Sequence, residues 1–579
     1  MQINGTAGQA AAPLIQVNAA TPLPPIIQKK TFMLDPCVRD PFRLRCTGNR
    51  PMITLTRREG LTLALGVGAA AATRRSFAQP ARNVLIGGFD VGPGGYPANF
   101  NPLAATAGFQ WLNLYYDTLV WYDGALETIS GALAERVESN PEKTRYTFHL
   151  RPNVKWHDGQ AFTSADVAFT IALAKDPRSG SIFGSRLADI AQVVTPDDMT
   201  AVFELSKPNG AMLDVLTKLM ILPKHALDPL PRDGLDRNPW WSKTPIGTGP
   251  FIFVRYETDQ FVELKANPAY RLGRPKLDGV INRYFRNSAN AVDALRAGEI
   301  QFTYVEADEA RTFQGNAAFR VIPGNSWVIN YIGFNHATTL WEDAQVRRAV
   351  MHAVNREALI RSILNGAAEI ANSCYIAKAV TPADLDRYPY DPAQARQLLA
   401  AAGWDKINGT KPLAWLTYYN NPLVENLMAA MQAMLAEVGI RVVPRAVDVA
   451  TYNGIVYAPK PDLSLYPLVY AGAQNGPEPG AINMYTNESQ IPPNGANIMR
   501  VRDAELNSAL NAALGEPDDA KRPARFQTVA RVFNRNLPWA PLWVGTRYGV
   551  ITANVANFVW TPAPSGGGYN QRAETWAFT

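Results

Sequence analysis

From Val84 onward the apolar positions change period repeatedly, and the changes mark out short strands and helices. Val84-Leu85-Ile86 followed by Gly87-Gly88 predicts a buried strand that ends in a glycine turn. Residues 90–102 carry Gly92, Pro93, Gly94, Gly95 and Pro97 and predict a loop. Tyr146, Phe148 and Leu150 alternate with Thr147 and His149, the period of a strand with one buried face. Asp158-Gly159 marks a turn, and Thr163 placed three residues before Asp166 opens a helix in the manner of a capping box. A further helix is expected from Asp391-Pro392 to Gly403. Val424, Leu427, Met428, Met431, Met434, Leu435 and Val438 recur at helical spacing, stop at Gly439, and give way to the strand-like Ile440-Arg441-Val442-Val443. Strands alternating with helices predict α/β architecture.

At 579 residues the chain exceeds one ordinary core and calls for two or three lobes. Hydrophobic residues at 47% and charged residues at 18% exclude general disorder. No apolar run is long enough to span a bilayer, which excludes an integral membrane protein. The net charge of +6 is local. Residues 1–78 hold 10 Lys/Arg against 3 Asp/Glu, which leaves 46 against 47 in the remainder. A neutral body gives a nucleic-acid partner no electrostatic basis.

The basic excess belongs to an address segment. Arg57-Arg58 precedes the short apolar run 61–72, and Ser76 and Ala78 place small residues at the −3 and −1 positions before Gln79. Residues 52–78 therefore read as an export signal, and Thr56-Arg57-Arg58 resembles a twin-arginine signal. Gly60 stands where that signal usually has a large apolar residue, so the general secretory route stays open. Met52 is the expected start, with residues 1–51 a non-native extension. Cleavage after Ala78 leaves Cys374 as the one cysteine, which rules out an internal disulfide and implies a soluble periplasmic protein.

Catalytic signatures are missing: there is no G-x-S-x-G elbow, Walker A loop, H-E-x-x-H or paired C-x-x-C. The five histidines are not spaced as metal pairs, and His157-Asp158 reads as part of a Trp-His-Asp-Gly turn. No cofactor, no metal and no enzymatic activity are expected. The chain is instead rich in rings, with 13 Trp, 22 Tyr and 23 Phe. Two polar loops carry them beside amides: Tyr418-Tyr419-Asn420-Asn421-Pro422, and Tyr470-Ala471-Gly472-Ala473-Gln474-Asn475-Gly476. Such loops suit an organic ligand, stacking its apolar part and bonding its polar part; ordinary surface loops are the alternative.

One long run is specific. Tyr146-Thr147-Phe148-His149-Leu150-Arg151-Pro152, Trp156-His157-Asp158-Gly159 and Thr163-Ser164-Ala165-Asp166-Val167 together resemble the signature of family 5 extracellular solute-binding proteins, which feed dipeptides, oligopeptides or nickel to ABC importers. The resemblance continues through Phe100-Asn101-Pro102-Leu103, Tyr116-Asp117-Thr118-Leu119-Val120, Gly247-Thr248-Gly249-Pro250-Phe251, Asn267-Pro268-Ala269-Tyr270, Val346-Arg347-Arg348-Ala349-Val350 and Leu537-Pro538-Trp539. It implies a two-lobed periplasmic binding protein fold that closes by a hinge over a ligand. By family position lobe I comprises 79–105, 245–325 and 545–579, with an extra subdomain at 106–244, and lobe II comprises 326–544.

The same resemblance implies a monomer that captures a small-molecule or peptide ligand and hands it to ABC permease subunits. It places Phe100, Phe109 and Trp111 of lobe I in the cleft, facing Tyr418, Tyr419, Asn421, Tyr470, Gln474, Asn475 and Glu478 of lobe II. The departures bear on the ligand. Peptide binders of the family usually hold the ligand's amino group with an Asp where this chain has Gln474 and Asn475, and dipeptide binders grip the carboxylate with an Arg where it has Tyr418 to Asn421. Amides lack the strength of an ion pair, so a modified peptide, an opine-like conjugate or another polar organic solute fits as well as a classical short peptide. A peptide-holding chaperone is the competing function, and an exported hydrolase a weaker one.

Overall fold

The computed structural model describes residues 83–90, 100–103, 112–123, 128–476, 479–492, 495–561 and 570–579. The extension 1–51, the export signal 52–78 and the candidates Phe109, Trp111 and Glu478 lie outside the described residues. A mixed sheet of eleven strands runs the length of the described chain. Its strands are β1 (Val84–Asp90), β2 (Phe251–Glu257), β3 (Phe261–Ala266), β4 (Gly279–Phe285), β5 (Phe302–Val305), β6 (Phe319–Phe334), β7 (Ala368–Ile370), β8 (Leu413–Thr417), β9 (Val442–Ala446), β10 (Leu468–Gln474) and β11 (Trp539–Thr552). They lie in the order β9-β8-β10-β6-β11-β5-β1-β4-β3-β2, with β7 paired to β11.

The centre of that order is where the sheet crosses from one core to the other. β6 and β11 pair antiparallel from Phe319/Thr552 to Asn325/Thr546, lose register, and pair again from Ile329/Val544 to Gly333/Trp539. Bulges of this kind bend a strand and interrupt its ladder. Trp327, inside the interruption, has a φ of 53°, which is unfavourable for a side chain of its bulk. On one side of the crossing lie clusters built on Leu85, Phe148, Phe203, Trp241 and Phe302, and on Ile86, Leu295 and Val550. On the other side lie clusters built on Ile332, Trp341, Trp415 and Trp543, and on Ile329, Val469, Phe533 and Trp539. The α/β class is the one the alternating pattern implies.

Local elements follow their sequence signals. Arg145–Leu150 is a strand whose residues 146, 148 and 150 are buried, in a separate antiparallel sheet ordered Ala134–Ser139, Arg145–Leu150, Thr200–Leu205, Ile190–Asp197. The helix Ser164–Lys175 begins after Thr163, whose backbone N–H donates to the Asp166 carboxylate at 3.0 Å. Pro392–Ala402 and Pro422–Glu437 are helices, ended by Gly403 at φ 72° and Gly439 at φ 93°, a conformation that favours glycine. One expectation is corrected: Gly87-Gly88 is not a turn. Both residues continue β1, paired with Asn282 and Arg283 of β4 and with Phe302 and Thr303 of β5. The reason is packing, because a Cβ on Gly88 would fall 2.4 Å from Ile300 Cδ1.

The signature segment folds onto Gly247-Thr248-Gly249. His157 N–H donates to Gly247 O at 2.9 Å, Gly247 N–H donates to His157 Nδ1 at 3.2 Å, and His157 Nε2 lies 3.0 Å from Gly249 O. Trp156, 2% exposed, donates its indole N–H to Asp166 at 3.2 Å. The glycines are required sterically, since a Cβ on Gly247 would sit 1.6 Å from Tyr115 O. The Trp-His-Asp-Gly turn is scaffold.

Candidate ligand-binding site

β8 and β10 run parallel, with Trp415 opposite Leu468, so their carboxyl ends open at one edge of the sheet. Crevices outside the carboxyl ends of parallel strands are the usual ligand sites of α/β sheets. The loop after β8 starts with Tyr418 and Tyr419, and β10 ends at Gln474 and leads into Asn475. β6 lies antiparallel against β10 with Val328 opposite Gln474, which sets the interrupted crossing segment beside the same edge. The topology thus gathers two polar aromatic loops at the place where the sheet changes core.

The rings form a connected group. Tyr418 and Tyr419 have centroids 4.3 Å apart and share a hydroxyl–hydroxyl hydrogen bond of 3.1 Å. Tyr452 meets Tyr418 edge-on at 4.9 Å, and Tyr470 meets Tyr419 at 5.9 Å. Gly472 makes room for this: a Cβ there would lie 2.5 Å from Val328 and 3.0 Å from the Tyr419 hydroxyl. Burial pushes the phenols of Tyr418, Tyr419, Tyr452 and Tyr470 upward and that of Tyr485 to about 12, so all stay neutral at physiological pH.

Amides complete the edge. Gln474 is exposed, and its backbone N–H donates to the Tyr485 hydroxyl at 3.0 Å. Asn475 is 4% exposed and is tied through its backbone N–H to Trp327 O at 2.8 Å. Its Nδ2 is buried and has no partner among the described residues. A buried donor left unmade costs about 1–3 kcal/mol, and an acceptor brought by a ligand would recover it.

The other candidates fall elsewhere. Asn421 caps the helix Pro422–Glu437, its Oδ1 accepting from Val424 N–H at 3.0 Å. Tyr470 is 1% exposed, packs edge-on against Trp415 and shares a 3.2 Å hydrogen bond with Asn330 Oδ1, so its ring belongs to a core. Phe100 is enclosed by Tyr115, Phe253 and Tyr256 in the other core. Sequence reading missed Tyr452, Tyr485 and Trp327. Tyr452 and Tyr485 sit in short helices without a motif, and only the β6–β10 pairing brings Trp327 to the edge.

Among the described residues no three His, Cys, Asp or Glu side chains converge as metal ligands, and no helix is long and apolar enough to cross a membrane. Cys374 is buried and burial pushes its thiol far above its ordinary value, which removes it as a nucleophile. His157 and His336 are held neutral, both pushed down to about 4 chiefly by burial.

Two cores joined by paired strands, with ring-and-amide loops at the crossing, are the build of a binding protein of the periplasmic type. Residues 128–492 match the model of the bacterial extracellular solute-binding proteins, family 5, middle part, and the chain belongs to that family. A Brucella ovis protein named as an ABC transporter peptide-binding protein is 56% identical over 497 residues, covering 86% of this chain and 94% of its own. The oligopeptide-binding protein AppA of Bacillus subtilis, solved with a nonapeptide, superposes with a TM-score of 0.76 at 25% identity, over 86% of this chain and 99% of AppA. NikZ of Campylobacter jejuni, solved with Ni(L-His), shares the fold with a TM-score of 0.73 at 23% identity, over 86% of this chain and 100% of NikZ.

Proposed function

We propose that this protein captures a peptide-like or other polar organic solute in the periplasm and delivers it to an ABC import permease. The observation that carries the reading is the ring-and-amide edge at the sheet crossing, where Asn475 Nδ2 is buried without a partner among the described residues. A solute there would stack on Tyr418 and Tyr419 and bond Gln474 and Asn475, and bending at the β6–β11 interruption would close the lobes over it. The lobe boundaries at 325/326 and 544/545 fit this hinge, since both fall in the interruption. The peptide-binding name of the Brucella relative favours peptides, and amides at Gln474 and Asn475 in place of an acid admit ligands whose amino end is modified or held elsewhere.

The Arg57-Arg58 segment supports export, by the twin-arginine or the general secretory route, with the mature protein starting at Gln79. Intrinsic fluorescence titration of the exported protein against dipeptides, longer peptides and amidated or conjugated analogues tests the reading. Saturable one-to-one binding with the solute recovered intact is expected. Hydrolysis of a bound solute, or weak binding to every peptide regardless of length, would replace it with an enzyme or a holding chaperone.

A further inference from the structure

The separate antiparallel sheet and its loops touch the far core at two places beside one cavity. The cavity, about 710 Å³, lies between residues 185–218 and residues 480–515. On the hinge side Trp327, in the interruption between β6 and β11, packs against Tyr122 of the strand Val120–Tyr122. The Tyr122 hydroxyl donates to Asp214, a residue of the cavity wall, at 3.0 Å. Away from the hinge the loop 207–211 meets residues 514–522, where the helix Ala504–Leu514 turns into the helix Arg522–Asn536.

That second contact is built for close approach. Gly210 N–H donates to Leu514 O at 3.2 Å, and Lys143 Nζ pairs with Asp519 at 3.0 Å. Asp519 also accepts from Arg522 Nη1 at 2.6 Å. A side chain at 210 has no room, since a Cβ there would lie 2.3 Å from Arg522 Nη1 and 3.1 Å from Glu516 O. The loop is fixed on its own sheet: Asn209 N–H donates to Lys143 O at 3.1 Å, and the Tyr146 hydroxyl, from the strand Arg145–Leu150, donates to Asn209 O at 2.7 Å. Asn209 Nδ2 donates to Asp189 at 3.0 Å. Among the described residues Lys143–Asp519 is the one ion pair that joins residues 106–244 to residues 326–544. Opening the lobes at the β6–β11 interruption would pull this contact apart while Trp327 stays near the pivot.

We propose that residues 106–244 act as a clasp, in which Lys143 and Gly210 fasten onto residues 514–519 when the lobes shut and slow their reopening. None of the clasp residues belongs to the ring-and-amide edge, so the clasp sets how long a solute stays and not which solute is chosen. The proposal rests on the capture function above for what it retains.

The test places spin labels on Arg237→Cys and Lys406→Cys, two exposed positions on opposite sides of the clasp, in the exported protein whose Cys374 is buried. Lys143→Glu, Lys143→Arg and Gly210→Leu are compared with the parent, and the melting temperature of each checks folding. Double electron–electron resonance should give one narrow distance population in the parent and in Lys143→Arg. Lys143→Glu and Gly210→Leu should add a longer, broader one. Stopped-flow release of a tetrapeptide library should be about 3- to 10-fold faster in those two variants, with association unchanged. The same distances in the parent, Lys143→Glu and Gly210→Leu, or a Lys143→Arg variant that opens like Lys143→Glu, would overturn the clasp and leave the capture function standing. Longer distances with unchanged release would overturn its control of residence. A parent that binds none of the peptides while the distances shift as stated would overturn peptide capture and support the clasp.

Discussion

Acidification should destabilise this protein through His157, and the amount can be worked from its surroundings. Nδ1 accepts a hydrogen bond from Gly247 N–H, so the ring proton sits on Nε2, which donates to Gly249 O. Protonating Nδ1 would set two donors against each other inside a mostly buried pocket. Burial is the chief cause of the lowered value, about 4 against an ordinary 6.5, with the Gly249 bond and the Asp117 and Asp158 charges opposing it. Because the folded value lies below the unfolded one, the neutral form stabilises the fold above pH 6.5, and this is lost as pH falls from 6.5 through 4. At about 1.4 kcal/mol per unit the ceiling is roughly 3 kcal/mol, and a ring that keeps some solvent contact should realise about 1–2 kcal/mol. His157→Gln keeps an acceptor for Gly247 N–H and a donor for Gly249 O but cannot titrate. Urea unfolding at half-unit steps from pH 7.5 to 4 should therefore show a shallower decline for the variant, with His336, also near 4, contributing equally to both proteins. Parallel stability curves for wild type and variant would refute the reasoning.

Trp156→Ala, which empties a 2%-exposed site, should cost about 3–5 kcal/mol in chemical denaturation and leave the ligand affinity of the folded fraction nearly unchanged; a selective loss of affinity would count against the scaffold role. Gly247→Ala places a Cβ 1.6 Å from Tyr115 O and should sharply reduce folded yield and melting temperature, and a normal melting curve would contradict the close packing. Asn475→Ala removes an amide nitrogen with no partner among the described residues, so the ligand-free melting temperature should hardly move while peptide affinity falls about tenfold in fluorescence titration. Tyr419→Ala should also weaken binding, by about 1–2 kcal/mol for the lost stacking, and unaltered affinity in both variants would move the site away from this edge.

The parts of the fold that follow local rules are legible in the sequence. Tyr146, Phe148 and Leu150 alternate because one face of their strand is buried, and Gly403 and Gly439 end helices because their backbone is left-handed. Gly87-Gly88 misleads because glycine marks both turns and places of close approach, and only the neighbouring Ile300 tells which. The Tyr418-Tyr419 and Gln474-Asn475 loops stand out as rings beside amides, and their adjacency comes from parallel pairing between strands about fifty residues apart, which no local pattern encodes. Phe100 and Tyr470 look alike to a sequence reader and to the family resemblance, yet both rings are enclosed by core partners.

The most direct measurement of the central claim is native mass spectrometry of the protein recovered from the periplasm, followed by denaturation and identification of what is released. One peptide-like or other polar organic solute per chain is expected, released intact and rebound by the emptied protein with the same stoichiometry in titration calorimetry. A heterogeneous set of long polypeptides, cleavage of the rebound molecule, or an emptied protein that rebinds no solute at all would contradict selective capture for import.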